Sequence, residues 1–254
     1  MEGLQNGNPA IAVPFVTKRV KQIFNVFIGF IPSFSVTLAM SKNDEGVLIA
    51  FEGIDAAGKN TQSRMLYEYF KRSGTPCEYI GFPDYSTPIG QEIRSFLEHR
   101  RDYNLESRHI LYAGNRYEHK EQIEKWISEG KIIVINRYCE SNFAYGGASG
   151  LPLNWLAQIE SRMPRADYIF YLKLSPEISA SRKKNRDRYE ADLAFLKRVA
   201  SVYEALIERG RWFTISADQP KDIIHYEVAK TISSLEVSNF NQAKASSLGS
   251  GNRD

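Results

Sequence analysis

The chain has 254 residues, of which 43% are hydrophobic and 25% charged, the balance of an ordinary globular protein with enough apolar material for a full core. Thirty-three Lys and Arg stand against thirty Asp and Glu, a formal charge of +3, too even for a chain that coats nucleic acid, so any polyanion site must be local. Two cysteines, Cys77 and Cys139, with no CxxC motif, and dispersed Gly and Pro exclude a disulfide scaffold, a zinc-finger framework and low-complexity or collagenous classes, and give a reducing, cytoplasmic address as the default expectation.

In chain order, residues 1–39 carry Lys18, Arg19 and Lys21 against Glu2 and then run without charge to Met40. Asn25, Pro32, Ser33, Ser35 and Thr37 interrupt that run, which falls short of the ~20 apolar residues of a membrane span. A poorly ordered extension is expected, with Met40 reading as a natural beginning before the first strand and no membrane as partner. Val47-Leu48-Ile49-Ala50-Phe51 predicts a buried strand, followed by a glycine-rich turn and a helical pattern through Met65, Leu66, Tyr69 and Phe70 that stops near Gly74. Glu78-Tyr79-Ile80 predicts a second strand and Ile89, Ile93, Phe96 and Leu97 a helix. One long helix is expected over 105–128, stopped by Gly130, then a strand over 131–135. Further strands are expected over 168–172 and 212–215, with helices over 153–162, 176–183, 190–209 and 220–235. The tail 236–254 is rich in Ser, Asn and Gly and is expected to be disordered. Strands that run apolar and alternate with helices predict an α/β fold, a five-stranded parallel sheet with helices on both faces, whose ligands bind beyond the carboxyl ends of the strands.

Just after the first strand stands Gly53-Ile54-Asp55-Ala56-Ala57-Gly58-Lys59-Asn60-Thr61, a GxxxxGK phosphate loop. Its glycines let the backbone wrap phosphate oxygens, its N–H groups and the following helix N-terminus face them, and Lys59 reaches the terminal phosphates. The fold class sharpens to a P-loop NTPase-like three-layer domain over 40–235. Asn60 replaces the hydroxyl that usually ligates Mg²⁺, so its amide oxygen or Thr61 serves, or nucleotide and water hold the metal.

The stretch Phe51-Glu52-Gly53-Ile54-Asp55-Ala56-Ala57-Gly58-Lys59-Asn60-Thr61-Gln62 resembles the first motif of thymidylate kinases. Four more agree in order: Phe82-Pro83 with Ser86-Thr87-Pro88-Ile89-Gly90, Tyr112-Ala113-Gly114-Asn115-Arg116-Tyr117-Glu118, Asn136-Arg137-Tyr138, and Arg186-Asp187-Arg188-Tyr189-Glu190. The resemblance covers about 45–235. It implies transfer of the γ-phosphoryl group of ATP, with Mg²⁺, to dTMP, giving ADP and dTDP on the way to dTTP, commonly by a homodimer in which the 105–128 helix could contribute. Residues 53–61 would hold the donor nucleotide. Arg137 would anchor the acceptor phosphate, Asp55 the sugar 3′-hydroxyl, Tyr112 would stack on the base, Arg116 would read its edge, and Phe82 and Pro83 would wall the pocket. Tyr145 and Tyr189 would crowd the sugar 2′ position. Arg182, Arg186 and Arg188, in a lid over 182–190, would join Lys59 in neutralising the transferred phosphoryl group, because forked guanidinium groups match phosphate oxygens.

The sequence departs from the family at three places. Asn136 replaces an Asp that helps organise Mg²⁺, Gly81 replaces an Arg before Phe-Pro, and Ala56 and Ala57 stand where many relatives carry a loop Arg. Glu52 or Asp55 would then organise the metal, beside Asn60. The histidines, His99, His109, His119 and His225, read as surface or packing residues. Two alternatives remain open at this level: another deoxynucleotide or nucleoside kinase, and a nucleotide-binding protein of impaired catalysis.

Overall fold

The computed structural model describes residues 46–182, 193–207 and 212–249. Five strands, β1 (Val47–Glu52), β2 (Cys77–Gly81), β3 (Ile132–Asn136), β4 (Tyr168–Lys173) and β5 (Trp212–Ser216), form one sheet in the order β2-β3-β1-β4-β5. Every pairing is parallel, with Ile49 beside Val134 and Phe51 beside Phe170. All six residues of β1 are buried, as a central parallel strand covered on both faces requires. Alternate residues feed two cores. Ile49, Phe51, Val134 and Phe170 face one with Leu66, Phe70 and Tyr203, while Leu48, Ala50, Ile133 and Ile135 face the other with Ile123, Tyr138 and Met163.

The helices are α1 (Lys59–Arg72), α2 (Pro88–Leu97), α3 (Leu105–Tyr117), α4 (Lys120–Ser128), α5 (Cys139–Ala148), α6 (Leu153–Glu160), α7 (Pro176–Arg182), α8 (Leu193–Ile207) and α9 (Lys221–Gly249). Thr87 caps α2 by accepting from Gly90 N, and Asn104 caps α3 by accepting from Ser107 N, the local signals that start helices. Gly90 has no alternative, since a Cβ there would lie 1.7 Å from Asp84 O.

Three differences from the sequence expectation have physical causes. The single helix expected over 105–128 is two, because Glu118 turns aside to accept from Ile89 N and Asn115 Nδ2, and His119 Nε2 lies 3.0 Å from Asp84 Oδ2. Contacts with the 84–89 segment therefore outweigh local helix propensity. Helix α5 was not expected: Gly146 and Gly147 mask its periodicity, yet they let Leu156 and Leu153 pack against its backbone. Helix α9 runs through Gly249, past 236 where a disordered tail is expected, and its 236–248 stretch has no Pro or Gly to stop it. The expected extension at 1–39 and most of the expected lid lie outside the described residues.

Candidate active site

The carboxyl ends of β1, β2 and β3 open onto a cavity of about 730 Å³, in the size range of small-molecule sites. Its two ends differ in chemistry.

At one end the chain leaves β1 through Gly53, whose φ of 142° and whose closeness to β4, where a Cβ would meet Leu172 O at 2.7 Å, admit glycine alone. Gly58, at φ 87°, caps α1. Lys59 is buried, and its Nζ donates to Ile54 O at 2.6 Å, so the cation lies inside the loop's own concavity. Beside the loop, Arg137 follows β3 in the left-handed region at φ 62°, its N–H bonded to Phe51 O at 3.0 Å. That backbone turns the guanidinium back to Gly53 O (3.4 Å), Ser141 Oγ (3.2 Å), Tyr145 OH (3.3 Å) and Asp55 Oδ1. Tyr145 OH in turn donates to Asp55 Oδ2 at 2.7 Å. Arg137, Asp55 and Tyr145 thus form one unit on the cavity wall.

Glu52 corrects its expected role. It is buried and is not among the residues lining the cavity, and Tyr138 N (2.6 Å), Ser141 N (3.3 Å), Ser141 Oγ (2.6 Å) and Tyr203 OH (2.7 Å) all donate to its carboxylate. It fixes the start of α5 rather than a metal. Asn60 does border the cavity, but its Oδ1 accepts from Arg64 Nε at 3.2 Å and Tyr79 OH at 3.1 Å. A neighbouring guanidinium disfavours a cation at that oxygen. Asn136 Oδ1 is buried at the same wall with no hydrogen-bond partner. Among the described residues no group of three or more His, Cys, Asp or Glu could hold a metal ion.

At the other end the cis Phe82–Pro83 peptide, Tyr112 and Arg116 line the cavity. Arg116 is buried, and its guanidinium is bound by Glu160, with Nε 3.1 Å from Oε2. Its expected freedom to read a ligand edge is thus partly taken, and Glu160 was not anticipated from sequence. Glu160 Oε1 also accepts from Asn142 Nδ2 at 2.6 Å, and Asn142 Oδ1 meets His109 Nδ1 at 2.6 Å. Burial pushes the His109 imidazole down to about 4, keeping it neutral, so Nδ1 carries the proton and donates to Asn142. His109 is a packing residue, as expected, but one that borders the cavity.

Arg182 also departs from expectation. Its guanidinium bonds Ala217 O at 3.1 and 3.2 Å and, in the phosphate loop itself, Ala56 O at 3.4 Å, bracing main chain rather than standing free. Arg186, Arg188 and Tyr189 lie outside the described residues. Ile54, Ala56, Ala57 and Thr61 complete the phosphate loop and first turn of α1.

Comparison with known proteins agrees with this geometry. The thymidylate kinase family model matches residues 51–228. A thymidylate kinase of Dictyostelium discoideum is 33% identical over 205 residues, covering 80% of this chain and 90% of that protein. The human thymidylate kinase is 33% identical over 187 residues, 72% of this chain and 88% of that one. The solved structure of Candida albicans thymidylate kinase superposes with a TM-score of 0.66 at 26% identity, covering 77% of this chain and 93% of that one.

Proposed function

The chain belongs to the thymidylate kinase family, and from that premise we propose that it transfers the γ-phosphoryl group of ATP to dTMP, giving ADP and dTDP for dTTP synthesis. The observation that carries the residue roles is the Asp55–Arg137–Tyr145 unit, in which a phosphate-loop carboxylate binds Arg137 and Tyr145 on the wall of one cavity. Phosphoryl transfer asks mainly that two anions be aligned and the moving charge neutralised.

Residues 53–61 cradle the ATP phosphates, and Lys59 leaves Ile54 O to meet them. Arg137 holds the acceptor phosphate as a fork, and Asp55 sets the fork and meets the sugar 3′-hydroxyl. Tyr112 stacks on the base between Phe82 and Pro83, Arg116 offers its remaining N–H groups to the base edge, and Tyr145 lies beneath the sugar. In this reading Arg186 and Arg188 join Lys59 in stabilising the transferred phosphoryl group, Tyr189 crowds the sugar 2′ position, and exclusion of water protects ATP from hydrolysis. Mg²⁺ belongs to this reading as an ion carried by the nucleotide phosphates and water, in keeping with its reluctance to dehydrate, and no step above runs through it.

The same reading includes a homodimer with α3 and α4 at the contact, where Ile110 is half exposed, and a reducing cytoplasmic setting, which suits two free cysteines. Among the described residues no helix is long and apolar enough to cross a membrane. The test is ADP release from ATP and Mg²⁺ with dTMP, dUMP, the thymine ribonucleotide, dCMP, dGMP, AMP and thymidine offered separately. Turnover with dTMP, weaker with dUMP and absent with thymidine, is expected. Tight binding of ATP and dTMP without ADP release would overturn the reading.

A further inference from the structure

Helix α7 touches the phosphate loop at two consecutive carbonyls. Ser179, buried at 3% exposure, donates its hydroxyl to Asp55 O at 2.7 Å. One turn later Arg182 donates to Ala56 O at 3.4 Å while bridging to Ala217 O. A helical serine commonly returns its proton to its own helix three or four residues back, and Ser181 does so with Ile178 O at 2.8 Å. Ser179 instead reaches a carbonyl 124 positions away in sequence.

The accepting peptide lies at a strained place. Ala56, next in the chain, is left-handed at φ 53°, a conformation that costs a non-glycine residue about 1–3 kcal/mol and persists only where its surroundings enforce it. The same Asp55 works in the opposite direction through its side chain, whose two oxygens bind Arg137 and Tyr145. One residue is therefore fastened at its main chain by α7 and itself fastens the acceptor anchor at its carboxylate.

We propose that Ser179 is a positioning residue for the reaction, holding the Asp55 peptide so that the donor-phosphate loop and Arg137 keep one register. The inference rests on the kinase reading above and adds a residue outside the five motif stretches. Its consequence is specific: because one turn of backbone serves both substrates, loosening it affects both.

The test compares the full chain with its Ser179→Ala and Ser179→Thr variants at a temperature well below the melting transition. In Ser179→Ala the KM values for ATP and for dTMP rise together, by about three- to tenfold, the size of one lost internal hydrogen bond. In Ser179→Thr, which keeps the hydroxyl, both return to within about twofold of the parent. Amide hydrogen exchange without substrate gives a second reading, with the peptide spanning 53–58 exchanging faster in Ser179→Ala and not in Ser179→Thr. A residue that merely packed α7 would lower the melting temperature and leave the KM pair and the loop exchange alone. A folded Ser179→Ala protein with parental KM values and parental loop exchange overturns the proposal. Since exchange is read without dTMP, a parent protein inactive on dTMP would overturn the kinase reading, while the fastening would still be judged by exchange.

Discussion

Arg137 owes its direction to one backbone choice, a left-handed φ of 62° held by its N–H bond to Phe51 O. Removing the side chain takes a charged donor from the acceptor phosphate and leaves Asp55 without its cation. Charge-assisted bonds contribute about 1.5–3 kcal/mol, so Arg137→Ala raises the KM for dTMP by about ten- to a hundredfold, while equilibrium binding of an ATP analogue changes little. Asn136, beside it, carries a buried Oδ1 without a hydrogen-bond partner at the cavity wall. Asn136→Asp places a carboxylate next to Arg137, and kcat should rise by about tenfold or more, since preorganised charge carries effects of that size. An unchanged kcat in steady-state assays would show that the neutral site is not deficient. His109 gives a pH signature. Its folded value lies near 4, below the ordinary 6.5, so below pH 6.5 the unfolded chain takes up a proton that the folded one refuses. Stability contributed by the neutral ring is complete above 6.5 and falls as pH drops toward 4, by about 1.4 kcal/mol per unit. Denaturant titrations of His109→Gln should lose that slope.

At the scale of elements, the strand-to-loop junction is the least forgiving place. Gly53 combines φ 142° with a Cβ position 2.7 Å from Leu172 O, so Gly53→Ala must push β1 from β4 or distort the loop. A stability loss of about 1–3 kcal/mol, read by denaturant unfolding, should accompany loss of ATP binding. The glycines and Lys59 were legible because a phosphate loop is a local pattern with fixed spacing. The division between α3 and α4 was not: Glu118 and His119 are acceptable helix residues, and it is Ile89, Asn115 and Asp84 that draw them out of line. Helix α5 was missed for the opposite reason, since its buried face is built partly of Gly146, Asn142 and Ala144, which carry no apolar periodicity.

Across the whole molecule, β1 and β4 join the two halves of the sheet, and the rings of Phe51 and Phe170 stack there at 5.2 Å. Phe170→Ala opens a cavity in a core with no exposure and should cost about 3–5 kcal/mol, measured as a shift in the denaturant midpoint with an unchanged slope. Both cores rely on β1, buried at every residue, and on β3, buried over Ile132–Ile135, and this explains why the parallel sheet could be read from continuous apolar runs.

By itself the sequence determined the strand–helix alternation, the parallel sheet, the phosphate loop and the position of Arg137 after a buried strand, because each is written in neighbouring residues. Tertiary structure alone decided what those residues touch. Glu160 reaches Arg116 across 44 positions, Asn142 reaches His109 across 33, and Ser179 reaches Asp55 across 124. It also withdrew Glu52 into the start of α5 and set Arg182 against main-chain carbonyls. Polar pairs of this kind leave no periodic trace in a chain: a buried carboxylate or hydroxyl takes whichever donor or acceptor the packed elements bring within about 3 Å, and that neighbour is chosen by the fold.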